Sequence, residues 1–553
     1  MPPSRWSSTC RCRELPPPPR FPRPPFPCRN PRRSWPISAN AKHGWAARRR
    51  RSGPGSTSCA PNRRGRCGRG GCPPPPTPRR TPTSKPAAAA SRTRRSCSRK
   101  PTTPSGRKSR GARHSCFPAL AEDRADAAEE LEASAARLAA LGETADHGRA
   151  LLRLASFHYA RQDLDATREV LDRAEIPASH PPELAGTWLE RRALVQANSG
   201  DLPGAIALAA GAAMKYTEAG APERAAGARL LSARFRAGLG EREAAFAEAS
   251  GIDAGTDRAL AARVHQLRGQ LAADLGRAED AAIAFRASVN AFAASDLPVD
   301  AAVTRIDLAL AYLNLDRPDE AAEAVEDAEG VLERVGAEHE LARGRYLLAQ
   351  ACRDLGREEQ AVALYDVVVE HFAAVGNEPA AGQALESRAE VLDRLDRDAE
   401  AAAGFTAAAE RYHVAGLPAD ELRTRRRAVL SWLWADEPGR AEDALAVADA
   451  VTGDGPEFAW EHALTGYDGA RLLANLDRPA EALPRASAAA EALRDMGADA
   501  PAVAAEVLCG RLLRDLGKTA DAREVLTAAL SRLPEEAAAQ RADVEALLEE
   551  LTE

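Results

Sequence analysis

A small side chain returns about every forty residues along most of this chain. The series runs Thr167, Ala205, Ala244, Ala281, Ala321, Ala361, Ala401, Ala441, Ala482 and Ala522, with gaps of 38, 39, 37, 40, 40, 40, 40, 41 and 40 residues. A beat of this length requires a row of similar supersecondary units, because each unit is too small to bury its apolar face alone and must lend it to a neighbour.

One phrase recurs around the anchors. Leu315-Asp316-Arg317-Pro318-Asp319-Glu320-Ala321 returns as Leu355-Gly356-Arg357-Glu358-Glu359-Gln360-Ala361, as Leu395-Asp396-Arg397-Asp398-Ala399-Glu400-Ala401 and as Leu476-Asp477-Arg478-Pro479-Ala480-Glu481-Ala482. Gly or Asp after the Leu tolerates the backbone of a helix end. Pro in the following first turn forfeits no hydrogen bond there, and acids suit that positive end. Each block therefore reads helix, tight turn, helix. Twelve residues before the anchors stand Ala155, Ala193, Ser232, Gly269, Ala309, Ala349, Ala389, Ala470 and Gly510, with Val429 the exception. Four residues after them a larger apolar group is usual: Leu171, Phe285, Val325, Tyr365, Phe405, Leu445 and Leu526. At 3.6 residues per turn these offsets share one face of each helix.

The block resembles the tetratricopeptide repeat, whose pattern has a Leu-Gly/Ala pair, an aromatic, then Ala and Phe. Leu308-Ala309, Tyr312, Ala321, Val325 and Ala328 match it in order; Leu348-Ala349, Ala361 and Tyr365 match with Cys352 in the aromatic place. The likeness covers about four-fifths of the chain, in a form roughly six residues longer than the usual repeat of about 34 and mostly lacking its late Pro. It is similar to the elongated variants of bacterial transcriptional regulators and motor light chains. The resemblance implies an all-α, right-handed α-solenoid of stacked antiparallel helix hairpins, about ten and a half repeats over 117–553. A capping helix is expected over 534–552, with Val544, Leu547, Leu548 and Leu551 as its apolar stripe.

Residues 1–116 differ in kind. They hold 29 Lys and Arg against the single acid Glu14, a net of +28; the remainder carries 46 basic and 79 acidic residues, a net of −33, and together these give −5. They also hold 23 of the 39 prolines and 8 of the 10 cysteines. So little apolar surface with so much self-repulsion predicts disorder. A nucleic-acid arm using Arg49, Arg50 and Arg51, a targeting peptide, and out-of-frame translation of a GC-rich gene are the three readings. The third accounts best for a folded part that uses Arg 44 times but Lys only at Lys215 and Lys518. The forty-residue beat also extends back to Ala127, which opens a second helix whose partner is expected over roughly 108–120, where Gly106, Gly111 and Pro118 oppose helix formation. The natural product is accordingly expected to continue upstream, and residues 1–116 to be non-native.

No catalytic constellation emerges, and the chain is read as non-enzymatic with no cofactor. Gly517-Lys518-Thr519 mimics the tail of a phosphate-binding loop, but Leu512 stands where its first Gly belongs. His339-Glu340 lacks the second histidine of a zinc protease motif. Cys10-x-Cys12 and Cys67-x4-Cys72 lack zinc spacing, while Cys352 and Cys509 fall on packing faces. Two such thiols suit a reducing cytosol, and no apolar run reaches membrane-spanning length. The basic cluster Arg423, Arg425, Arg426, Arg427 with Trp432 and Trp434 does not make a nucleic-acid face, since successive helix residues diverge; the tryptophans are expected to fill the core around Val429.

In the tetratricopeptide family ligands lie in the concave groove lined by first helices. By that resemblance the inward residues are Arg263, Gln266, Gln270, Asn314, Arg343, Tyr346, Gln350, Arg353, Arg423, Arg426, Tyr467, Arg471, Asn475, Arg511 and Arg514, with Glu386, Glu390 and Asp393 in the seventh repeat. The arginines point to an acidic or C-terminal peptide segment of a protein partner. The chain is thus expected to be a protein–protein interaction scaffold; the alternative is the ligand-sensing arm of a larger bacterial regulator whose ATPase or DNA-binding part lies upstream.

Overall fold

The turn phrase produces the architecture directly. In the computed structural model, which describes residues 127–174, 180–533 and 537–551, every regular element is an α-helix. The expected boundary at residue 117, the segment 108–120 and the start of the capping helix at 534–536 lie outside the described residues.

A leading helix α1 (Ala127–Ala140) precedes ten hairpins. Their first helices are α2 (Thr144–Ala160), α4 (Pro182–Asn198), α6 (Pro222–Gly238), α8 (Arg258–Asp274), α10 (Pro298–Asn314), α12 (Glu338–Asp354), α14 (Glu378–Arg394), α16 (Pro418–Trp434), α18 (Pro456–Asn475) and α20 (Asp499–Asp515). Their second helices are α3 (Leu164–Arg173), α5 (Leu202–Glu218), α7 (Arg242–Ser250), α9 (Ala278–Ala293), α11 (Pro318–Val335), α13 (Glu358–Ala374), α15 (Asp398–Val414), α17 (Pro438–Asp449), α19 (Pro479–Asp495) and α21 (Thr519–Arg532); α22 (Ala538–Glu550) follows.

The period has a simple origin. Helices α14 and α15 are 17 residues each, and each is followed by a three-residue turn, which makes forty. In each turn one residue adopts the left-handed conformation: Gly356 has φ +71° and Asp316 φ +59°. The chain then folds back so that Arg357 N–H donates to the Cys352 carbonyl at 2.8 Å and Arg317 N–H to that of Tyr312 at 3.0 Å, satisfying helix-end carbonyls.

The anchors are buried as the period predicts, with one correction. Ala205, Ala281, Ala321, Ala361, Ala401, Ala441, Ala482 and Ala522 are fully covered, but Ala244 is exposed and Ala245 takes its place in the core, paired with Ala233. The cause is α7, which is only nine residues long. The distance from Ala245 to Ala281 is thereby 36 residues, one helical turn short of forty, and the wealth of alanine hides the slip. Opposite the anchors the small residues admit close backbone approach. A Cβ on Gly269 would stand 2.6 Å from the Phe285 ring, and a Cβ on Gly510 would overlap Leu526. Val429 is buried as well, with Trp432 packed against its cluster and Trp434 half-buried.

Helix α22 closes the array as an amphipathic cover. Val544, Leu547 and Leu551 are buried against Leu526, Ala529 and Leu533, and Leu548 packs against the same cluster.

Candidate functional site

Which helices form the inner wall follows from which ones meet. Besides chain neighbours, the pairs in substantial contact are α2/α4, α6/α8, α8/α10, α10/α12, α16/α18 and α18/α20, all of them two first helices. Rows of first helices crowd together while second helices splay, so the first helices line the concave side. All of the expected inward residues lie on these first helices.

Most of the arginines on that wall are already engaged. Arg343 is buried on α12 and bound by Asp307 of α10, with Glu340 at 3.2 Å. Burial pushes its pKa down, yet the two carboxylates outweigh that and leave it raised. On α16, Arg423 forks onto Glu386 of α14, with Nε 2.9 Å from Oε1 and Nη2 2.7 Å from Oε2. Arg427 joins Glu390 and lies 4.5 Å over the Phe405 ring. Glu386 also accepts from the Tyr412 hydroxyl at 3.0 Å. Burial would raise the Glu386 pKa, but Arg423 and Arg427 hold it below its ordinary value. Arg426 turns the other way, to Asp468 at 2.9 Å and Glu461 at 3.2 Å on α18, where Arg471 also meets Asp468 at 3.0 Å. Glu386 and Glu390 of the seventh repeat are thus the counter-charges of Arg423 and Arg427 of the eighth. Forked pairs of this kind set the relative position of two helices, while desolvation offsets much of their attraction.

The remaining expected residues divide by exposure. Tyr346 is buried, its hydroxyl 3.1 Å from Ser387 Oγ and 3.3 Å from Gln350 Nε2, and burial pushes its pKa up to about 12. Tyr467 is half-buried and raised by burial, with Arg471 5.8 Å from its ring. Arg353 meets Asp354 at 3.0 Å, and Arg514 meets Asp515 and, on α22, Glu550 at 2.7 Å. Arg511 is half-buried, and Gln266 donates to Thr304 at 3.3 Å. Arg263, Gln270, Asn314 and Asn475 are exposed, Asn475 donating to the Arg471 carbonyl at 2.8 Å. Sequence reasoning missed Asp307, Glu461 and Asp468 as partners, although 36, 35 and 42 residues, close to one period, separate them from their arginines. It also missed Arg234, which reaches the inward position of α6 once the anchor is moved to Ala245.

A second ladder runs along the turns. Arg317, Arg397 and Arg478 each fork onto the Glu three residues on, Glu320, Glu400 and Glu481, and each reaches back one repeat to Glu279, Glu359 and Glu442. The recurrent Arg of the turn phrase thus touches two successive units.

Small residues where paired helices cross, a large apolar group one turn on, and first helices along the inside decide the architecture. It is a tetratricopeptide-like α-solenoid. No protein-family model matches this tetratricopeptide-like chain, and no curated protein matches it. Among solved structures it is similar to a tetratricopeptide repeat protein from Parabacteroides merdae, at 16% identity and TM-score 0.35 over 51% of this chain and 98% of the other. It is similar to a Rap protein complexed with competence and sporulation factor, at 12% and 0.35 over 66% and 97%. It is also similar to a signal-transduction ATPase with a tetratricopeptide repeat sensor from Pyrococcus horikoshii, at 12% and 0.43 over 60% and 51%. Each likeness concerns the helical-repeat fold alone. Among the described residues no group of three or more His, Cys, Asp and Glu could hold a metal, and no helix is long and apolar enough to cross a membrane. Cys352 and Cys509 are buried free thiols whose pKa burial raises.

Proposed function

We propose that this protein is an interaction scaffold that holds an extended segment of a partner protein along the inner wall of its first helices. The observation that supports this reading is the wall itself, whose adjoining first helices meet from α6 to α12 and from α16 to α20, and which carries exposed polar groups such as Gln270, Asn314 and Asn475 between fixed ion pairs. Amide side chains both donate and accept, which suits the backbone of an extended chain. The buried pairs around Glu386 hold the wall's form, so the partner meets a preorganised surface. Catalysis has no nominated residue in this reading, and no cofactor is required.

The test blocks the wall without touching its ion pairs. Gln270→Trp and Asn475→Trp place bulk at exposed positions, and co-purification with the full-length chain is compared with wild type. A partner recovered by the wild type and lost by the blocked variant is the expected result. A partner retained equally by both removes the groove from consideration.

A further inference from the structure

Arg234 on α6 and Arg263 on α8 occupy neighbouring first helices that are in direct contact, both on the inner wall and both exposed. Among the described residues neither guanidinium has a hydrogen-bond or ion-pair partner. This sets them apart from Arg343, Arg423, Arg426, Arg471 and Arg514, each of which holds a carboxylate. Arg234 is accessible to water, yet the surrounding protein lowers its pKa by desolvation, and the Arg263 charge lowers it further. Two turns earlier on the same face of α6, Gly227 leaves open space, where an added Cβ would meet nothing within 4 Å. The protein thus holds two like charges together, without a counter-ion, in an open part of its groove.

We propose that Arg234 and Arg263 are the docking point for an acidic stretch of a partner polypeptide, two of whose side-chain carboxylates replace the counter-charges found elsewhere along the wall. The assignment rests on the groove reading above and locates it. Helices in contact lie about 8–10 Å apart. In an extended chain, side chains two residues apart share a face about 7 Å apart, so two flexible arginines reach an acid-x-acid sequence. Each guanidinium forks onto one carboxylate, and Gln270, also exposed, offers its amide to the segment's backbone. The open space at Gly227 admits that backbone. The C-terminal half of the wall does not compete, because its arginines already hold Glu386, Glu390, Glu461 and Asp468.

The test uses the full-length chain and a fluorescent peptide of alternating Ser and Glu, acetylated and amidated so that only side chains carry charge. Arg234→Glu with Arg263→Glu is compared with Arg258→Glu and Arg334→Glu, exposed arginines whose reversal changes net charge equally; the contribution of the basic segment 1–116 is common to both. Loss of affinity by at least about tenfold, from two lost charge-assisted pairs, in the first variant alone is expected. Equal affinity in both variants overturns the assignment. So does binding of inorganic phosphate, competing at the pair, with no binding of the Glu peptide. The milder Arg263→Gln relieves a repulsion, so it should raise Tm while weakening the peptide; a lowered Tm with unchanged affinity also overturns it. If the peptide result fails while the tryptophan-blocked variant still loses its partner, the groove stands and only this docking point falls.

Discussion

At Gly269 the backbone of α8 comes so close to Phe285 that an ideal Cβ would stand 2.6 Å from the ring, and Phe285 is itself 3% exposed with nowhere to retreat. At Gly330 on α11 the nearest heavy atom lies 3.7 Å away, at the end of Arg334. The two glycines should therefore respond to the same substitution with opposite sign. Gly330→Ala removes backbone freedom from the unfolded chain and is expected to stabilise by about 0.5–1 kcal/mol. Gly269→Ala gains the same term but forces an overpacked core, and a net loss of about 1–2 kcal/mol is expected. Urea unfolding of both variants checks the contrast; two gains would mean that α8 and α9 are less closely apposed than described. Alanine abundance explains why this was only partly legible beforehand. The sequence shows a small residue at each crossing, but in the third repeat Ala244 and Ala245 are equivalent on paper, and burial alone separates them.

At the scale of the element, helix ends and helix pairs carry separate tests. Asp436 and Asp477 end α16 and α18 in the left-handed region, at φ +61° and +56°, where other turns use Gly356 or Gly517. Each also adds a negative charge just past the negative end of the helix it terminates. Asp436→Gly and Asp477→Gly should each raise stability by a few tenths to about 1 kcal/mol, read as a higher Tm; no rise would show that the aspartates make compensating contacts. Between elements, Glu386 joins α14 to α15 and α16. Its folded pKa is lowered, so its contribution is full above the unfolded value near 4.3 and is lost as pH falls through the folded one. Glu386→Gln should destabilise at neutral pH by up to about 3 kcal/mol, and should flatten the acid limb of the stability curve below about pH 4.5. An unaltered acid limb would mean that other carboxylates govern it.

Across the whole array, each hairpin rests on its immediate neighbours, so stability is nearly a sum of local terms. Removing residues 537–553 takes away α22 and uncovers Leu526, Ala529 and Leu533. Hydrogen exchange should then accelerate in α20 and α21 and remain unchanged in α2 to α10. Uniform acceleration would imply a cooperativity that a nearest-neighbour stack lacks. Besides the short α7, regularity also breaks at α17, which is 12 residues long; α18 is 20 residues long and packs more closely on α16 than on α17. There Arg426 joins Glu461 and Asp468 of α18. The direct contact and these ion pairs couple the eighth and ninth repeats across the shortened helix.

The helical class, the hairpin unit, the turn residues and nearly all anchors are readable from the amino-acid order, because each depends on signals contained within one forty-residue block. A helix end needs only its own Gly or Asp, and a packing face needs only offsets of three, four and twelve. What tertiary structure decided is the fate of the charges. Whether Arg343 meets Asp307, or Arg234 meets nothing, depends on how far one helix is rotated and shifted against the next, which the volumes of the packed side chains between them determine. A groove that reads as a row of arginines is therefore mostly neutralised from within, and Arg234 and Arg263, which have no carboxylate partner among the described residues, became visible only once their helices were in place.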